Sequence, residues 1–132
     1  MRLLIAYAAA LITMLCMDAV WLNMSFALIY QPVLGPLQAA KTNWPAAAAF
    51  YLLYPCGILF FASLRGGGWT AALLNGAMLG FFAYATYDLT NFATLRGWTL
   101  QLTMADVAWG VVITASASLA SFLAVSWFDR AA

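Results

Sequence analysis

The chain has 132 residues, 67% of them hydrophobic and only 7% charged, with a formal net charge of +1. Soluble domains carry about 25% charged residues, and so apolar a chain has too few charges to build a polar shell, so its solvent must be lipid. The small net charge speaks against nucleic acid as a partner, and a chain without His or Glu lacks the donor sets of most zinc, haem and di-iron centres, so no cofactor or metal is expected.

The first apolar segment runs from Leu3 to about Tyr30, broken only by Asp18 and Asn23. It continues well past the length of a signal-peptide core, and bulky Met14-Leu15 before Cys16 does not suit a lipoprotein cleavage site, so a retained helix is expected. Gln31 to Asn43, with Pro32, Gly35 and Pro36, reads as a long loop. A second segment, about 46–64, opens after Trp44-Pro45, where Pro suits a first helical turn, and contains Pro55, which should kink it. The turn Arg65-Gly66-Gly67-Gly68 leads into a third segment, about 69–91, and Phe92 to Leu102 leads to a fourth, about 103–128. Each can cross a hydrocarbon core of ~30 Å at 1.5 Å per residue. The expectation is an all-α integral membrane protein, one four-transmembrane-helix bundle over residues 1–132. Cys16 and Cys56 lie inside apolar runs and read as buried thiols.

This order places both long loops on one side and both termini on the other. The terminal side carries Arg2, Arg65 and Arg130, against Lys41 and Arg96 opposite, so the positive-inside rule favours cytoplasmic termini. Trp and Tyr near the segment ends (Tyr30, Trp44, Trp69, Trp98, Trp127) read as interfacial anchors.

Polar and small residues fall on helical stripes: Met14, Asp18, Trp21 and Ser25 in the first helix; Gly76, Gly80, Tyr84, Tyr87, Asp88 and Asn91 in the third; Thr103, Asp106, Gly110, Thr114, Ala117 and Ser121 in the fourth. Three such faces should meet inside the bundle. Gly76-x-x-x-Gly80 reads first as a close contact within the monomer, with a dimer face as the alternative. By rise per residue, Asp88 and Asp106 lie ~10 Å below the long-loop surface and Asp18 ~18 Å below it. A membrane acid is costly, and no Lys or Arg lies in the spans to neutralise these three. Their options are a bound proton, hydrogen bonds from Tyr, Trp, Asn or Thr, or a bound cation. Asp18, the deepest, is the expected proton-exchanging residue, with Asp88 held ionised by Thr90 and Asn91. Asp18-Ala-Val-Trp21 recurs as Asp106-Val-Ala-Trp109, but in helices of opposite direction, which a simple duplication of a two-helix unit would not produce.

Asp18-x-x-Trp21, Asn43-Trp44-Pro45, Phe50-Tyr51-Leu52-Leu53-Tyr54, Tyr84-x-x-Tyr87-Asp88-Leu89-Thr90-Asn91 and Asp106-x-x-Trp109-Gly110 together resemble the bacterial family called domain of unknown function 2177. The resemblance covers nearly the whole chain and implies a four-helix, multi-pass protein of the bacterial inner membrane. Gly97-Trp98-Thr99 departs from its Gly-Trp-Pro pattern.

The residues point to a protein that binds or transports a small cationic or amphipathic substrate, with proton linkage as an option the aspartates supply. Asp18, Asp88 and Asp106 would supply charge or carry the proton, Trp21, Trp109, Tyr84 and Tyr87 cation–π walls, and Asn91 a hydrogen bond. No nucleophile paired with a base is visible, so no catalytic residue is assigned. The alternatives are an accessory subunit of a larger membrane complex, and a lipid-metabolising membrane enzyme using Asp as acid or base, or three carboxylates as a metal site. Expected partners are membrane lipid, a hydrophobic or cationic small molecule, and a homo-oligomer or larger membrane complex.

Overall fold

A computed structural model describes residues 1–131, which form four long helices and no strand. Helix α1 spans Arg2–Leu37, α2 Trp44–Ser63, α3 Gly68–Thr94 and α4 Leu100–Ala131. By length and composition α1, α2 and α4 are apolar enough to cross a membrane. The 27 residues of α3 give it ~40 Å, ample to cross as well, but it carries more polar residues. Three of its exposed threonines satisfy themselves locally: Thr86, Thr90 and Thr94 each donate to the carbonyl one turn back, at 2.6–2.8 Å.

The surface has the polarity of a lipid-facing bundle. Large apolar side chains such as Leu52, Leu53, Phe60, Phe82 and Leu89 point outwards, whereas Asp18, Asp88, Thr103, Thr114, Ser118 and Ser121 are buried. In water this arrangement would expose apolar area without return; in lipid it leaves the polar groups one another as partners.

Helix limits differ from the sequence reading at several places, and α3 and α4 each run about three residues further, to Thr94 and Ala131. Helix α1 continues through the expected loop to Leu37 because a π-helical turn at Phe26–Tyr30 intervenes, after which Pro32 sits in a first turn, where its missing N–H costs little. Helix α2 starts at Trp44, with the Asn43 side chain accepting from the Ala46 N–H at 3.2 Å. Helix α4 starts at Leu100, where the Thr99 hydroxyl accepts from the Leu102 N–H. The α2–α3 turn is carried by Gly66, Gly67 and Gly68, all with φ near +80°, a conformation that only glycine adopts without strain.

Helix α4 is the centre of the bundle. It packs along α3 and, on another side, along α1, whereas α2 meets α3 chiefly through its last turn, Leu59–Ser63. The α3–α4 contact is close because Gly76 faces Thr114, Ala115 and Ser118, and Gly80 faces the Gly110 backbone. Gly76-x-x-x-Gly80 is therefore a seam within the monomer. Hydroxyl bonds join the helices: Ser118 to the Ala72 carbonyl at 2.7 Å, Ser121 to Ser63 at 3.1 Å, and Tyr54 with Thr114 at 3.0 Å. The termini share one end, where Arg2 pairs with Asp129 at 2.8 Å.

Several side chains sit elsewhere than expected. Cys16 and Cys56 are exposed on the outer surface, since both fall opposite the buried stripes of their helices. Tyr30 and Trp98 are buried rather than interfacial, Trp98 donating to the Thr103 hydroxyl at 3.1 Å.

A Cβ at Gly80 would run into the Gly110 carbonyl, a backbone atom, whereas one at Gly57 would meet nothing within 4 Å. Gly80→Ala is expected to lower stability by about 2 kcal/mol or more, and Gly57→Ala to leave it unchanged or slightly raised. Unfolding curves in detergent would show this split; equal behaviour of the two variants would refute the seam. Single cysteines at positions 2, 66 and 130 of a cysteine-free background should react with an impermeant reagent from one membrane face only; labelling of position 66 from the face opposite the termini would break the topology.

Candidate functional site

The three membrane acids lie in one half of the bundle, and their partners come mostly from other helices. Asp18, 9% exposed, accepts from the Tyr51 hydroxyl at 2.8 Å and from the Trp109 indole N–H at 3.0 Å. One carboxylate thus joins α1, α2 and α4. Asp106 accepts from the Tyr30 hydroxyl, and Tyr30 in turn accepts from the Trp21 indole N–H at 2.8 Å. Between the two acids the Trp21 and Trp109 rings stack, with centroids 4.6 Å apart and planes within 5°.

This is a crossed pairing of the two Asp-x-x-Trp motifs. Because α1 and α4 run in opposite directions, the tryptophan of one motif lies level with the aspartate of the other. Trp109 reaches Asp18 directly; Trp21 reaches Asp106 through Tyr30. The opposed direction that counts against a simple duplication is what lets the motifs meet.

The π-helical turn explains Tyr30. The buried stripe of α1 steps from Asp18 to Trp21 to Ser25 by three and four residues, then from Ser25 to Tyr30 by five, a step that a π turn returns to the same face. No reading by helical period would have placed Tyr30 there. Tyr51 and Tyr54 belong to the site too, through Asp18 and Thr114, and the one signal for them in the sequence is the aromatic run Phe50 to Tyr54.

Asp88 is in a different situation. It is 0% exposed, and neither carboxyl oxygen receives a hydrogen bond from any N–H or hydroxyl group. The expected donors are engaged elsewhere: Thr90 bonds back along its own helix, and Asn91 faces the Tyr87 hydroxyl. The polar group opposite Asp88 is the carboxyl of Asp106, within hydrogen-bonding reach. The donors are thus distributed the other way round from the expectation: Asp18 receives two from other helices, and Asp88 receives none.

A cavity of about 490 Å³ opens between α2 and α3, with Phe50 and Tyr54 on one wall, Ala83, Tyr84 and Tyr87 on the other, and Asp106 lining it as well. It exists because α2 leans away from α3 above the Leu59–Ser63 contact. The Tyr84 ring fits into the space left by Gly110, which has no side chain, and Tyr87, 56% exposed, stands at the mouth edge-on to Trp98. Asn91 lines a separate cleft of about 300 Å³ with Leu34, Leu37, Gln38, Tyr87, Leu95 and Trp98. Trp21 and Trp109 do not line the cavity; each covers one face of the other. No group of three His, Cys or Asp side chains able to hold a metal forms among the described residues.

Tyr51→Phe and Trp109→Phe each remove one donor from Asp18 while keeping a ring. Each is expected to cost about 1–3 kcal/mol, and the double variant to differ clearly from the sum, since both donors serve one carboxylate. A double-mutant cycle of unfolding free energies would measure this; additivity would show that Asp18 does not depend on the pair.

The family described as "Predicted membrane protein (DUF2177)" matches residues 3–123, a span that includes every acid and aromatic residue of the site. No curated protein and no solved structure matches the chain. The helical bundle with its lipid-facing surface agrees with the family's description, and the chain belongs to the DUF2177 family of membrane proteins.

Proposed function

We propose that the protein binds a small amphipathic cation in the cleft between α2 and α3, as a multi-pass protein of the bacterial inner membrane with cytoplasmic termini. The carrying observation is one acid, Asp106, lining a mainly aromatic cavity of about 490 Å³, a size typical of sites for small organic ligands. Phe50, Tyr54, Tyr84 and Tyr87 offer ring faces to a cation stripped of water, where cation–π attraction is worth about 2 kcal/mol or more. The basic side chains, Arg2, Lys41, Arg65, Arg96 and Arg130, all lie at helix ends or in loops, so none competes for the acid. Phe50 and Tyr87 are exposed on the lipid-facing side, which gives a hydrophobic ion entry from the bilayer. Transport would add alternating access to this binding step.

The test uses the full chain in detergent with tetraphenylphosphonium as probe. The cation should raise the melting temperature and quench intrinsic fluorescence, while uncharged tetraphenylsilane does neither. Asp106→Asn, which keeps the volume but not the charge, should weaken binding at least tenfold with the fold intact. Equal binding of the uncharged probe, or full binding by Asp106→Asn, would overturn the proposal.

A further inference from the structure

Two carboxyl groups face one another beside the cleft, Asp106 lining it and Asp88 fully buried, and only one of them has a donor. Asp106 accepts from Tyr30, whose own oxygen accepts from Trp21. This chain of donors marks Asp106 as an acceptor. Asp88 has none of this: its oxygens are fully buried, no donor reaches them, and their neighbour is Asp106. Two carboxylates cannot hydrogen-bond to each other; a carboxylic acid and a carboxylate can. Two adjacent negative charges without a cation are also strongly disfavoured in a low-dielectric interior.

We propose that Asp88 holds a proton and donates it in a hydrogen bond to Asp106, so that Asp88 positions Asp106 as the charged member of the pair. The titratable groups facing the pair are Asp18 and Tyr30 from α1, Tyr54 from α2, and Tyr84 and Tyr87 from α3. None is basic. The proton on Asp88 therefore supplies the hydrogen bond that a lysine or arginine would supply elsewhere, without cancelling the Asp106 charge. Resting on the cation-binding reading, a consequence follows for ligand exchange. With one proton the pair carries a single negative charge, which one cation neutralises. With a second proton, on Asp106, the pair is already neutral and the cation has no counter-charge. Cation and second proton are then alternatives at Asp106: binding of one monovalent cation to the doubly protonated pair releases one proton, and the site is neutral before and after.

The test separates the pair from the ligand. Infrared spectra of the full chain in lipid at pH 8 should contain a protonated-carboxyl stretch that disappears in Asp88→Asn; its absence from the wild type, or its persistence in Asp88→Asn, overturns the proposal. Tetraphenylphosphonium titrations across pH give the second readout. Asp88→Asn keeps an N–H donor towards Asp106 and should bind within about threefold of wild type. Asp88→Val removes the donor and should lose at least tenfold at pH 7, recovering in more alkaline buffer. Matching pH profiles for the two variants would also overturn the assignment. If Asp88→Val does not fold, the infrared result and Asp88→Asn decide. If the infrared band behaves as stated but the wild type binds no cation at any pH, the reading of the cleft fails and the proton-bearing pair stands.

Discussion

An acid inside a bilayer must find its hydrogen-bond donors on protein, because lipid offers none. Where no basic side chain is within reach, those donors are the N–H and O–H groups of aromatic residues. That requirement organises the upper half of this bundle. Helices in lipid gain little from burying one apolar face against another, so packing alone leaves their rotation weakly specified. Asp18 removes that freedom for three helices at once, because Tyr51 and Trp109 reach it only when α1, α2 and α4 present particular faces. Tyr30 and Asp106 repeat the constraint between α1 and α4.

The lower half is held differently, by small residues and hydroxyls. Gly76 and Gly80 bring α3 against α4, and Ser118, Ser121 and Ser63 bond across the resulting short distances. The two devices share α4, which presents Asp106 and Trp109 above, and Gly110, Thr114, Ser118 and Ser121 below. The cleft lies where neither device acts: α2 is tied to α3 only near Ser63 and to α1 through Asp18, so its upper wall stands off from α3. The binding space follows from where the bundle is left unclamped.

Much of this was legible in the residues. A composition this apolar fixes the solvent, and period-3.6 stripes separated inward from outward faces on α1, α3 and α4. The two Asp-x-x-Trp motifs were visible as a pair, and Asp18, Asp88 and Asp106 could be placed in the same half of the membrane by counting rise per residue. What counting could not supply was anything that departs from a regular helix. Tyr30 lay off the stripe because of the π turn, and the same turn carried α1 through residues that Pro32, Gly35 and Pro36 suggested as loop. Hydrogen-bond direction was equally out of reach: Thr90 and Asn91 stand near Asp88 in sequence, yet Thr90 bonds back along α3 and Asn91 faces Tyr87. Cys16 and Cys56 show the limit of an apolar context, which in lipid marks the outside of the bundle as readily as its interior.

The π turn also gives α1 a tolerance in length that a regular helix lacks. In a regular helix, one residue more or fewer between two side chains that share a face turns one away from the other by about 100°. Here a deletion among Phe26, Ala27, Leu28 and Ile29 would convert the wide turn to a regular one and leave Tyr30 four residues after Ser25, on the same face. Tyr30 would still reach Asp106, and Trp21 would keep the oxygen it donates to. A family member one residue shorter at this point can therefore keep the same site on an unbroken α-helix.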